Sequence, residues 1–277
     1  MQYNIQEIKT EIKEAKDYII SKCGIVPEIG VILGTGLGGL VKEIEIIAEI
    51  PYDTIPHFPV STVESHKGNL IIGKLSGKIV IVMQGRFHYY EGYEMYRLTF
   101  PVRVMQSLGI SKLMISNACG SVNPLFRKGD IMIIDDHINL LGDNPLIGIN
   151  TNDFGPRFVD MSEPYSQKLI KLAEEVALEN KITVKKGTFA AMSGPSLESR
   201  AEYRMLRVIG SDAIGMSTIP ECIVARQIGV DVLGLSIITD ECYPDSLKAV
   251  ELEEIIEIAN STEPKMTLLF KKVIEKI

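Results

Sequence analysis

Ile29-Gly30-Val31-Ile32-Leu33-Gly34-Thr35-Gly36-Leu37-Gly38-Gly39 is a short apolar run that breaks directly into glycines. Such a run, bounded by turn residues, reads as a buried strand opening into a loop, the first unit of an α/β sheet. The chain alternates on both sides of it. Upstream, Ile5, Ile8, Ile12, Ala15 and Ile19 recur at helical spacing among charges, predicting a helix that stops near Gly24. Downstream, Asn69 to Leu75 and Lys78 to Met83 are β-rich runs joined by Ser76-Gly77, a hairpin signal. Thr99 before Phe100-Pro101 reads as an N-cap with Pro early in a helix that runs to about Gly109. Lys112 to Ser116, Ile131 to Asp135, Thr183 to Met192 and Val232 to Thr239 read as strands. Ser166 to Glu179 reads as a helix, and Ser199 to Ile209 as another, opened by the capping box Ser199…Glu202. Thr218…Glu221 is a second capping box, with Pro220 in its first turn, and helical runs from about Leu247 and Glu263 close the chain. Alternation from end to end, without a Gly/Ser linker or repeat, predicts one α/β domain over residues 1–277. The early hairpin makes its twisted sheet mixed, with helices flanking it in three layers.

Composition narrows the function classes. Of 277 residues, 45% are hydrophobic and 23% charged, enough for a sizeable core. The net charge of −7, with no Lys/Arg run longer than two, argues against nucleic acid and anionic membranes as partners. No apolar run approaches membrane-spanning length, and the first helix carries too many charges for a signal sequence. Cys23, Cys119, Cys222 and Cys242 form no CxxC pair, and His57, His66, His88 and His137 give no zinc spacing. A reduced, cytoplasmic protein without a metal is the expectation.

Four segments carry candidate chemistry. Gly34, Gly36 and Gly39 satisfy G-x-G-x-x-G after a strand, half of a dinucleotide fingerprint. No clean helix follows, since Val41 to Ile50 mixes β-branched residues and acids. Backbone N–H groups and the Thr35 hydroxyl nevertheless suit phosphate oxygens. In the second segment, around Gln84 to Gly92, an extended backbone puts Arg86 and His88 on one face. The arginine fork suits phosphate and the imidazole adds a donor, although a solvated Arg and a satisfied His at a strand end are equally ordinary. The third is Gly194 to Ser199, where Glu198 is either a ligand-binding carboxylate or an acid assisting the helix start. The fourth is Gly215 to Glu221, where backbone donors and Ser217 form an anion site or Thr218 simply caps a helix.

Together these segments resemble the trimeric purine nucleoside phosphorylase family. The matching stretches are GTGLGGL, STVESHKG, QGRFHYYEGY, FPVRV, SNACGSVNP, GDIMIIDDHINL, NPLIG, FGPRF, GPSLES and GMSTIPECIVAR, in the family's order over most of the chain. The resemblance implies a nucleoside phosphorylase fold and phosphorolysis of purine (deoxy)ribonucleosides to free base and (deoxy)ribose 1-phosphate. It implies no cofactor beyond inorganic phosphate as co-substrate, and reassigns the glycine loop from dinucleotide to phosphate. Thr35, His66, Arg86, His88, the Ala118 backbone N–H and Ser217 stand where the family binds phosphate. Tyr90 and Met216 match residues that hold the ribose. Asn117, Cys119, Gly120, Leu197, Glu198, Thr239 and Asp240 fall in the purine pocket. Phe154 matches a phenylalanine lent to a neighbouring subunit's ribose site, which implies a homotrimer with shared active sites. His88, Glu198 and Asp240 are the residues expected closest to the chemistry.

An ionised Glu198 accepts from N1–H of a 6-oxopurine, whereas adenine offers no N1–H, so inosine and guanosine are the expected substrates. Some positions depart from the family pattern. Asp240 stands where 6-oxopurine enzymes carry Asn, and in one pocket with Glu198 the two acids repel and raise at least one pKa. Leu197 replaces an aromatic ring, Cys119 and Ser121 replace smaller residues, and Leu252 replaces a histidine at the ribose 5′ end. Asp240 and Leu252 favour an alternative of the same fold, a 5′-methylthioadenosine or adenosine phosphorylase.

Overall fold

The computed structural model describes residues 3–34, 38–60 and 67–277. The first helix, α1 (Ile5–Cys23), begins where the Asn4 side chain accepts the Gln6 and Glu7 N–H groups. It ends at Gly24, whose φ of 66° suits a residue without a side chain. Its apolar stripe of Ile8, Ile12, Ala15 and Ile19 is buried. β1 (Ile29–Leu33), buried at every position, lies between β4 (Lys78–Gln84) and β5 (Lys112–Ser121) and runs parallel to both. β3 (Asn69–Leu75) forms the expected hairpin with β4, with Ser76 at φ 49° and Gly77 at φ 85°, both left-handed. An outer strand, β2 (Glu45–Pro51), pairs with β3. It is exposed along most of its length, so no alternating pattern marks it in the sequence.

The remaining elements are α2 (Met95–Leu108), β6 (Ile131–Leu140), α3 (Gln167–Glu179), β7 (Val184–Met192), α4 (Arg200–Val208), β8 (Ala213–Gly215), α5 (Ile219–Gln227), β9 (Asp231–Glu241) and α6 (Leu252–Lys276). One mixed sheet runs β2-β3-β4-β1-β5-β8-β7-β6-β9, and β9 also pairs with β5. The last five strands therefore close on themselves, β5 to β8, β7, β6, β9 and back. Bulges at Ile134/Asp136 and at Cys119/Gly120 supply the bending that closure needs. The second bulge gives β9 an extra residue, Thr239, just before Asp240.

Two helix readings are corrected. Thr99 is no N-cap: α2 starts four residues earlier at Met95, and the Thr99 hydroxyl donates to the Met95 carbonyl inside the helix. Burial of Met95, Tyr96 and Leu98 extends the helix across Pro101. The two C-terminal runs are one helix, α6, continuous through Pro264 and anchored by buried Met266, Leu269, Phe270 and Val273.

Candidate active site

The carboxyl ends of parallel β1, β4 and β5 lie side by side, the usual ligand edge of an α/β sheet. Gly34 leaves β1 against β5 so closely that a Cβ would lie 2.8 Å from the Ser116 carbonyl oxygen. Only glycine fits there. Beyond it lies a cavity of about 250 Å³ lined by Gly34, Gly38, Gly39, Lys42, Lys67 and Glu263. Glu263, from α6, accepts the Gly39 N–H. Thr35 and His66 fall outside the described residues.

Arg86 follows β4 and is buried. Its Nε and Nη2 donate to Glu221 Oε1 at 3.1 and 2.5 Å, and its Nη1 donates to the Ser116 carbonyl at 3.0 Å and to Thr218 Oγ1 at 3.2 Å. Asn117 Nδ2 donates to the same Thr218 hydroxyl at 2.8 Å, and Ser217 Oγ lies 3.3 Å from it. This overturns the capping box at Thr218…Glu221. Thr218 stands at the start of α5 but caps nothing with its side chain, and it holds a φ of 75° that a β-branched residue rarely adopts. A charge-assisted bond to a buried guanidinium outweighs a cap worth about 1 kcal/mol. Both side chains are turned inward to Arg86.

His88 lies two residues further on, nearly buried, with its ring stacked on Tyr90 at 4.7 Å. Glu91 accepts the His88 backbone N–H at 2.7 Å and faces its Nδ1 at 3.2 Å. Burial, then the charge of Glu91, pushes the Tyr90 hydroxyl up to about 12.

A second group sits further along β5 and β9. Asp240 accepts from Thr239 Oγ1 at Oδ1 and from Cys242 Sγ at Oδ2, both at 2.9 Å. Gly120 packs on it: a Cβ there would lie 2.7 Å from Asp240 Oδ2. The Cys119 carbonyl, 3.2 Å from the Thr239 hydroxyl, competes with Asp240 for its one proton at the longer distance. Glu198 has a raised pKa, chiefly from burial and further from the charge of Asp240, opposed by its own backbone N–H and the Tyr203 hydroxyl. The expected repulsion between the two acids is thus present. Gly194 is seated against Met216, whose sulfur a Cβ would meet at 2.4 Å, so the segment carrying Glu198 rests on the segment carrying Ser217.

Ala118, between Asn117 and Cys119 on β5, links the two groups. Leu197 and Leu252 are exposed, the latter at the first residue of α6. Its neighbours Glu251 and Glu254 line a cavity of about 540 Å³ with Thr239, Asp240 and Cys242. Phe154 is not brought to this region within its own chain. Its ring lies under the Arg103 guanidinium, 5.0 Å away, in a separate cavity with Lys9 and Gln227. The sequence reading missed Lys42, Lys67, Glu221 and Glu263, of which only Glu221 carried a signal, misread as a cap. Among the described residues no cluster of three His, Cys, Asp or Glu could hold a metal, and no helix is long and apolar enough to cross a membrane.

A glycine-lined strand edge with a buried arginine and hydroxyl network, beside paired carboxylates, defines a site for an anion next to a group rich in hydrogen-bond donors. The phosphorylase superfamily matches this chain over residues 28–275. Purine nucleoside phosphorylase 1 of Geobacillus stearothermophilus is 48% identical over 269 residues, covering 97% of this chain and 98% of its own. A schistosoma purine nucleoside phosphorylase solved with hypoxanthine superposes with a TM-score of 0.92 at 41% identity, covering 100% of this chain and 99% of its own. The Schistosoma mansoni enzyme solved with adenosine gives the same TM-score, identity and coverage. The chain therefore belongs to the phosphorylase superfamily and, within it, to the purine nucleoside phosphorylases.

Proposed function

We infer that this chain cleaves the N-glycosidic bond of purine nucleosides with inorganic phosphate, releasing free purine and (deoxy)ribose 1-phosphate without a metal or cofactor. The observation that carries the reading is one strand, β5, joining two unlike groups. Asn117 belongs to the Arg86–Thr218 network, and Gly120, three residues on, packs against Asp240. At about 3.3 Å per residue these positions are roughly 10 Å apart. One end suits an oxyanion and the other a purine edge.

As the glycosidic bond stretches, positive charge grows on the ribose and negative charge on the base. Phosphate is held by Arg86, His88, Ser217 and the Ala118 N–H, with Thr35 and His66 completing the set. Placed beneath C1′, it stabilises the first charge and then forms the new bond. Glu221 keeps the arginine fork in its plane. Tyr90 and Met216 hold the ribose, with Leu252 at its 5′ end and Phe154 supplied by a neighbouring subunit of a homotrimer. Asn117, Cys119, Gly120, Leu197 and Thr239 frame the purine, Glu198 grips N1–H, and Asp240 faces the N7 and 6-position edge. Inosine and guanosine are the expected substrates. A second reading, adenosine or 5′-methylthioadenosine, is favoured by Asp240 accepting at both oxygens, which leaves it suited to a 6-amino group. A cytoplasmic location suits the four cysteines, all free thiols.

The test is base release from inosine, guanosine, adenosine and methylthioadenosine, with and without phosphate. Arg86→Ala should weaken phosphate use about tenfold or more, the loss of about 1.5–3 kcal/mol of charge-assisted bonding. Equal activity in phosphate-free buffer would overturn the reading.

A further inference from the structure

Behind the two acids of the base site runs a row of buried side chains. The Cys242 thiol is 2% exposed and donates to Asp240 Oδ2. It also fills the space over Gly120, where a Cβ would lie 2.4 Å from Sγ. Thiol, carboxylate and glycine are fitted closely, and the thiol bond holds Oδ2 where it stands. Tyr203, equally buried and presented by α4, packs in the same buried cluster as Cys242. Its position is set by the Ser199…Glu202 capping box one residue earlier. The Tyr203 hydroxyl faces both the Cys242 thiol and the Glu198 carboxylate, and its one proton serves one of them at a time.

We propose that Cys242 and Tyr203 are positioning residues that hold Asp240 and Glu198 as acceptors, the first favouring 6-amino- and the second 6-oxopurines, and so set the balance between the two from behind the site. The inference rests on the purine site proposed above. With both oxygens accepting from the protein, Asp240 presents acceptors to the base, which suits a 6-amino group and not O6. Removing the thiol takes away the bond that holds Oδ2 and leaves the carboxylate able to turn away from the 6-position. Glu198 is complementary. Ionised, it accepts N1–H of a 6-oxopurine; protonated, it donates to N1 of a 6-aminopurine. The groups that face it are Glu202 and Tyr203 on α4 and Asp240 and Cys242 from the end of β9. Tyr203, by donating to the carboxylate, favours its ionised form.

The experiment measures kcat/KM for adenosine and inosine at saturating phosphate, as a ratio that cancels the fraction of folded enzyme. Cys242→Ala should lower the adenosine-to-inosine ratio about tenfold, the size of one hydrogen bond to a charged group, with the phosphate KM unchanged. Cys242→Ser, which keeps a donor, should stay within about threefold of the parent ratio. Tyr203→Phe should move the acid limb of inosine activity to higher pH, because Glu198 loses a bond to its ionised form. An unmoved ratio in Cys242→Ala, a serine variant that falls as far as the alanine one, or an unmoved acid limb would each overturn the proposal. If the unmodified enzyme releases no base from either nucleoside with phosphate, the proposed function itself has failed. Active enzyme with an unmoved ratio removes the positioning row alone.

Discussion

Glu221→Ala is the change whose size follows most directly from the structure. Glu221 and Arg86 are both almost fully buried, with side-chain exposures of 4% and 2%. One carboxylate oxygen accepts two guanidinium bonds, while the other Arg86 bonds named above go to neutral oxygens, Ser116 O and Thr218 Oγ1. Truncating the acid removes a hydrogen-bonded counter-charge from a cation that water does not reach, a change that costs about 3–5 kcal/mol when a buried pair is broken. Unfolding entropy for 277 residues is about 0.6 kcal/mol per kelvin, so Tm should fall by about 5–9 °C. Replacing both residues by Met should recover most of this, because an apolar pair of similar length owes no desolvation. Scanning fluorimetry and urea unfolding of Glu221→Met, Arg86→Met and the double variant give the full cycle. The phosphate KM of Glu221→Ala should rise as well, since the fork loses what orients it. A loss below about 1 kcal/mol would mean that Glu221 is the helix-cap acid its spacing suggests. A double variant as unstable as the sum of the singles would mean that the two residues are not coupled.

Glu198→Ala should cost more with guanosine than with inosine, because the 2-amino group adds a donor to that carboxylate; equal losses in kcat/KM would return Glu198 to a helix-end role. Burial holds His137 at about 4, below its ordinary 6.5, so it contributes stability above pH 6.5 that is lost as pH falls towards 4. The loss amounts to about 3 kcal/mol, and His137→Gln should flatten the decline in urea midpoint over that window; an unchanged slope would refute it. Leu252→His should shift preference from 5′-deoxyinosine towards inosine, since imidazole can bond the 5′-hydroxyl where leucine cannot. If the unmodified enzyme already prefers inosine about a hundredfold, more than one missing bond allows, Leu252 does not face that hydroxyl.

What could be read from the chain followed the range of the forces involved. β1, the β3–β4 hairpin and α1 are governed by neighbours in sequence: an apolar run, a Ser-Gly turn, an Asn cap and a closing glycine. Their positions were legible to within a residue. The capping box Ser199…Glu202 was legible for the same reason, as no distant group competes for it. Thr218…Glu221 has the same local pattern and the opposite outcome, because Arg86, 135 residues away from Glu221, offers a stronger bond than the helix end does. The N-cap at Thr99 failed similarly, to burial of the turn before it. Closure of the last five strands depends on bulges, which leave no periodic trace, so β5, β6 and β9 all run past their read ends. Those extensions are where the site lies. Asn117 to Gly120 belong to the unread end of β5, and Asp240 follows the extra residue of β9. For the base pocket, the residues alone left Glu198 open between a ligand and a helix-start acid and did not mark Asp240; the resemblance carried both. The resemblance could not show what stands behind them. Tyr203 reads as one more buried position of α4 and Cys242 as an isolated thiol. Only the folded chain sets them in one row between the two acids.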